Sequence, residues 1–264
     1  MIQEVLDQLD VAVDAPSKVE YPCTAVLLQQ QSLRRFSIAP GIAFIDGGNA
    51  PILKLPHQQI HLVQTACVIV EPDKPFQVDR KTFIVLEKAG VFTIIFPYKK
   101  LTNTESIDDV RKQLEVEHAK DLRLDPNAIV VVDGSLEGIT SEHYLFVGLS
   151  KTTSLTFDNG QSITQYPLDR IGYLHLGYTS DVDLFLVKLH EKARHTFRCD
   201  VQHLAGLDIQ RVLGQLATLS NDAAFPGYPY PLIKVDQLAR VTNDQIASLR
   251  GQLLAQRPQL ESLD

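Results

Sequence analysis

The 264-residue sequence predicts an α/β fold, a mixed sheet with helices packed on it, and three observations carry that expectation. Apolar runs of strand length crowd residues 42–96, with connections too short for helical crossovers, so they read as an antiparallel meander. Two apolar runs, Ile42-Ala-Phe-Ile-Asp-Gly-Gly48 and Ile129-Val-Val-Val-Asp-Gly-Ser135, share one grammar, a buried strand closed by Asp-Gly. From residue 106 onward helical patterns alternate with strands and then dominate.

Taken in order, residues 2–14 place Val5, Leu9 and Val13 at helical spacing, which predicts an amphipathic helix. Pro16 and Pro22 mark a loop, and residues 24–31 suit either strand or helix. Ser32-Leu-Arg-Arg35 is a small basic patch ahead of the first core strand. Residues 43–46, 50–56 and 60–70 read as three consecutive strands, and residues 83–86 and 91–96 as a hairpin around Lys88-Ala-Gly90.

Residues 106–122 predict a helix capped by Ser106, with Asp108 and Asp109 favouring its dipole. Ile107, Val110, Leu114 and Leu122 form its apolar stripe, Arg111 and His118 lie near the middle of that stripe, and Glu115 and Glu117 lie on its margins. A polar group on the buried side needs a partner, so this helix could present Arg111 and one glutamate to the Asp46 and Asp133 edge. Strand 129–133, a turn or helix at 135–138 and strand 144–151, ending on Lys151, come next. Residues 184–189 read as a strand, with His195-Thr-Phe-Arg198 leading into its partner. Helices are expected at 204–219, at 232–241 with Asp236 near the middle, and from Asn243 onward, with a proline- and aromatic-rich turn at 225–231.

The composition, 44% hydrophobic and 22% charged, is that of a globular protein with a substantial core. No run of 18 apolar residues offers a membrane span, and the acidic start does not read as a secretory signal. Cys23, Cys67 and Cys199 are odd in number and scattered, which suggests reduced thiols in a cytoplasmic protein and lacks zinc-site spacing. A net charge of −7 argues against indiscriminate coating of DNA, so nucleic acid would have to be held by focused patches. Walker loops, GxGxxG, nucleophile elbows and internal repeats are absent from the sequence.

If the two Asp-Gly strands are neighbours, Asp46 and Asp133 are delivered side by side and resist joint ionisation. A divalent cation relieves that conflict, and an all-oxygen site suits Mg²⁺ or Mn²⁺. Lys151, at the rim of such an acidic edge, could bind a phosphate.

In this order, Ile45-Asp-Gly-Gly48, Arg111-Lys-Gln-Leu-Glu115, Val132-Asp-Gly-Ser-Leu136, Val147-Gly-Leu-Ser-Lys151, Phe197-Arg198 and Gly227-Tyr-Pro-Tyr-Pro-Leu232 with Asp236 resemble the NurA nuclease family over about residues 40–245. The resemblance implies an RNase H-like fold in a single domain over residues 1–264, with an N-terminal helix and a C-terminal helical segment flanking the core. It also implies a Mn²⁺- (or Mg²⁺-) dependent DNA nuclease, a 5′–3′ exonuclease and/or single-strand endonuclease in DNA end resection and repair. A homodimer and a HerA-type hexameric ATPase partner are implied as well.

By that resemblance Asp46, Glu115, Asp133 and Asp236 are metal ligands of a two-metal phosphodiester hydrolysis, with Glu117 as the alternative helix carboxylate. Lys151 matches the active-site lysine, Arg111, Arg198 and Tyr230 match further family positions, and Arg198 or Arg35 would position the DNA backbone. The chain departs from the family in its short stretch before the second Asp and in its acidic balance. These departures motivate a rival reading, a catalytically weak RNase H-like binding module that docks the ATPase.

Overall fold

A computed structural model describes residues 30–38, 41–96, 98–100, 106–125, 128–136, 139, 144–157, 160–179 and 181–256. The expectations for 2–14, the Pro16–Pro22 loop and most of 24–31 lie outside these residues, as do Cys23 and positions 137–138.

The elements are β1 (Gln31–Ser32), β2 (Ile42–Leu55), β3 (Gln58–Val70), β4 (Gln77–Lys88), β5 (Val91–Phe96), β6 (Tyr98–Lys100), α1 (Ile107–Asp121), β7 (Ile129–Asp133), β8 (Leu145–Ser150), β9 (Gly172–Tyr178), β10 (Val182–Lys188), β11 (Phe197–Gln202), α2 (Ile209–Thr218), α3 (Tyr230–Ala239) and α4 (Asn243–Gln256). All the strands join one sheet in the order β1-β9-β10-β11-β8-β7-β2-β3-β4-β5-β6. Two antiparallel wings flank a parallel centre: β7 runs parallel to both β2 and β8.

The meander is present, but its first two expected strands are one. β2 does not stop at Asp46; it runs on to Leu55 with a register shift between Pro51 and Leu53. Gly47 and Gly48 are therefore strand residues. A Cβ on Gly47 would stand 2.5 Å from Glu115 Oε1, and one on Gly48 would stand 2.5 Å from the Ala239 carbonyl oxygen. The glycines let α1 and α3 come close to the strand from either side.

Alternation along the central strands sends residues into two cores. Ala43, Ile45, Val130 and Val132 pack with Ala119 and Leu122 of the α1 region, while Phe44, Val131, Val147 and Leu149 pack with Leu213, Leu216, Leu232 and Val235 of α2 and α3. Helices thus cover both faces of the sheet centre, which suits strands that are apolar on both sides.

The α1 expectation holds: Ser106 caps the helix and accepts a hydrogen bond from the Asp109 amide. The hairpin at Lys88-Ala-Gly90 also holds, with Ala89 (φ 51°) and Gly90 (φ 75°) making the turn. The helix expected at 204–219 begins only at Ile209, where the Asp208 side chain supplies the cap and Gly206 (φ 77°) turns the preceding loop. The helix expected at 232–241 is shifted to Tyr230–Ala239, because Pro231 suits a first turn that lacks intrahelical partners. β9 has no counterpart in the sequence-based expectation.

Candidate active site

Parallel pairing of β2 and β7 aligns Ile45 with Val132, so Asp46 and Asp133 occupy successive positions at the same end of adjacent strands. Both follow the side-chain parity of Phe44 and Val131, toward α2 and α3. Asp46 is 8% exposed and accepts a 2.8 Å hydrogen bond from the Gly47 amide. Burial pushes its carboxyl up to about 6; the Gly47 amide and Arg111 oppose this, and the Asp133 and Asp236 charges add to it.

Glu115 comes from α1, over Gly47, and is buried. Burial raises its carboxyl to about 7, with Arg111 opposing and Asp46 reinforcing. Arg111 is the hub of this side: it is ion-paired with Glu115 and lies 3.9 Å from Asp46 Oδ1 and 3.6 Å from Asp108 Oδ1. Burial works against its charge, but these carboxylates outweigh it and hold the proton more firmly. Glu117 instead accepts from Gln113, so Glu115 is the helix carboxylate that reaches Asp46's surroundings.

On the other side Lys151 Nζ lies 3.5 Å from Asp133 Oδ2 and 4.0 Å above the Tyr228 ring. Tyr228 is a residue the sequence reading missed. Its hydroxyl is buried without a hydrogen bond of ordinary geometry and lies within the influence of Asp133. Burial, followed by Asp133, Asp46 and Asp236, keeps it firmly protonated. Asp236 stands in the middle of α3, 3.1 Å from Arg240, close enough for its charge to act on both Asp46 and Tyr228.

Arg198 is turned to a second missed residue. Its Nε and Nη2 donate to the two oxygens of the fully buried Asp200 at 2.7 and 2.9 Å. Asp200 Oδ2 also accepts from the Leu136 amide at 3.0 Å. The pair clamps the turn after Asp133, where Gly134 (φ 130°) donates its amide to the Leu149 carbonyl. An unpaired Asp at a strand position could have signalled a buried partner, but nothing in the sequence says which arginine supplies it. Arg35 donates to Asn221 Oδ1 beside α2, and Tyr230 sits against Phe76, so neither joins the carboxylates.

Asp46, Asp133 and Asp236 offer only oxygen donors, and the Asp133 and Asp236 charges add to the burial that raises the Asp46 carboxyl. That donor set fits a hard divalent cation. Among the described residues no three His, Cys, Asp or Glu side chains stand close enough together to hold a metal ion; Arg111, Lys151 and Arg240 balance the charge instead.

The sheet order, the helices on both faces and the acidic ends of two parallel central strands define an RNase H-like fold. No protein-family model matches the chain, and no curated protein sequence matches it. Among solved structures the chain is similar to the NurA nuclease from Sulfolobus solfataricus, with a TM-score of 0.58 and 15% identity over 87% of this chain and 88% of that one. It is also similar to an endonuclease V from Bacillus subtilis (TM-score 0.49, 12% identity, 87% and 89% of the two chains). A third similar structure is the catalytic domain of human endonuclease V (TM-score 0.44, 12% identity, 84% and 91%). At 15% identity the likeness to the Sulfolobus structure is one of fold, and it bears out the sheet architecture expected from the sequence.

Proposed function

We propose that the chain is a divalent-metal-dependent nuclease that hydrolyses phosphodiester bonds in DNA. The observation that carries this reading is the meeting of Asp46 and Asp133 on parallel strands, with Asp46 held near 6 by burial and like charge. The fold it shares with the Sulfolobus NurA nuclease supports the reading.

Asp46, Asp133 and Asp236 would hold the cation, Mn²⁺ or Mg²⁺, with Glu115 available once Arg111 releases it. When bound, the cation supplies an activated water and offsets the negative charge of the carboxylates and the phosphate. Lys151, held between Asp133 and the Tyr228 ring, is placed to donate to a phosphate oxygen and to stabilise charge that builds there. Tyr228, kept protonated, retains an O–H that can donate a hydrogen bond to a phosphate oxygen. The Arg198–Asp200 clamp fixes the turn that presents Asp133.

Asp133→Ala and Asp46→Ala are expected to abolish Mn²⁺-dependent degradation of DNA while circular dichroism stays that of the parent. Full activity in a folded Asp133→Ala variant overturns the reading. We also propose, on the resemblance of the sequence motifs to the NurA family, a homodimer and a HerA-type hexameric ATPase as partner in DNA end processing.

A binding module without catalysis is favoured by one observation: Arg111 and Lys151 already neutralise Glu115 and Asp133. Calorimetric titration with Mn²⁺ separates the two readings. Heat of binding that disappears in Asp46→Ala supports the enzyme, and its absence in the parent protein supports the module.

A further inference from the structure

The chain carries a net charge of −7, yet one cleft beside the carboxylates has the opposite balance. It has a volume of about 1130 Å³, and Lys151, Lys192, Arg194 and Arg240 line it against one carboxylate, Asp236. Lys151 is committed to Asp133 and Arg240 to Asp236. Lys192 and Arg194 are exposed, and neither has a side-chain ion pair or hydrogen bond among the described residues.

These two cations sit on a preformed mount. Ala193, between them, is buried, and its amide closes a turn on the His190 carbonyl at 3.1 Å. Gly227 (φ 94°) comes so close that a Cβ there would stand 2.5 Å from the Ala193 Cβ. The same contact ties the turn to the loop that carries Phe225. That ring is 54% exposed on the cleft wall, and no other ring packs on it among the described residues. Lys151 and Thr152 line both this cleft and a smaller one, which contains Asp133, Arg111 and Arg198. The two grooves therefore meet at Lys151, the ion-pair partner of Asp133.

We propose that the larger cleft holds a single strand of DNA on one side of the bond to be cut. Lys192 and Arg194 take its backbone phosphates, and Phe225 takes the face of an unpaired base. This rests on the nuclease reading above and adds the cleft along which the strand runs and the residues that hold it. Backbone cations with an exposed aromatic platform are the physical requirements of single-strand binding, because an unstacked base has a free π-face and a paired one does not.

The test measures binding by fluorescence anisotropy in the Asp133→Ala background, so that nothing is cut. Lys192→Glu with Arg194→Glu is expected to raise the Kd for a labelled single strand at least ~10-fold and to lower the salt slope by about 1 to 2. Phe225→Ala is expected to raise that Kd by roughly 5-fold to 100-fold while leaving a blunt duplex unaffected. All three positions are exposed, and thermal melts check that the variants stay folded. An unchanged Kd in the double variant, or a Phe225→Ala effect of equal size on duplex, overturns the proposal. Binding that obeys these expectations in a protein whose Asp133-intact form never cuts DNA leaves the cleft standing and removes the nuclease reading. Cutting that is intact alongside insensitive variants does the reverse.

Discussion

Asp46 spends folding free energy on a charge that its surroundings disfavour. Its carboxyl moves from 3.8 to about 6 on folding, and that of Glu115 from 4.5 to about 7. Between each pair of values the native chain retains a proton that the unfolded chain has released. The stability this represents is fully present below the unfolded values and is lost as pH rises through the folded ones. The metal-free protein is therefore expected to lose stability between about pH 4 and pH 7, on the order of 1–3 kcal/mol for each carboxyl. Thermal melts across that range check this, and saturating Mn²⁺ should shrink the difference because it binds the ionised form. Asp46→Asn should raise the metal-free Tm at pH 8 by a few degrees while ending cleavage; a lowered Tm would contradict the account. The acidic residues themselves were legible in the sequence, because strand-terminal aspartates stand out against apolar runs. Tyr228 and Asp200 were not, because a tyrosine in a proline-rich turn and an aspartate in a strand carry no mark of what they will face.

At the scale of elements, β2 shows how a local signal can mislead. Asp-Gly-Gly after four apolar residues reads as the end of a strand, since glycine is the usual turn residue. In the fold the glycines are where two helices come close, and the strand continues. Gly48→Ala should therefore cost about 1–3 kcal/mol in urea unfolding, because its Cβ would meet the Ala239 carbonyl and α3, with Asp236, would have to back away. Cleavage should fall with it. Gly251→Ala in α4, where nothing stands within 4 Å, is the contrasting substitution and should be neutral or stabilising by up to ~1 kcal/mol. Equal losses at both positions would argue against close approach as the role of Gly48. α1 was legible almost to the residue, because its cap, its acidic first turn and its stripe all lie within one stretch. β9 escaped notice because Gly172-Tyr-Leu-His-Leu-Gly-Tyr178 begins on one glycine and carries another near its end.

At the scale of the molecule, the antiparallel wing beyond β3 leaves Val91, Ile95 and Phe96 of β5 exposed. The homodimer we propose would use this edge. Sedimentation should give twice the chain mass for the parent protein and the single chain mass for Val91→Glu with Phe96→Glu; a monomeric parent would remove the idea. The sequence by itself determined the mixed α/β architecture, the two apolar strands that carry Asp46 and Asp133, the helix that carries Arg111 and Glu115, and the list of carboxylates. Those features rest on periodicity, caps and turns, which act over a few residues. Only the tertiary structure decided that Glu115 is paired with Arg111, that Arg198 serves Asp200, that Tyr228 lies under Lys151, and that Lys192 and Arg194 line a cleft beside the site with no side-chain partner among the described residues. Partner choice among charges depends on which strands become neighbours and how deeply each group is buried, and neither quantity is encoded within one stretch of chain.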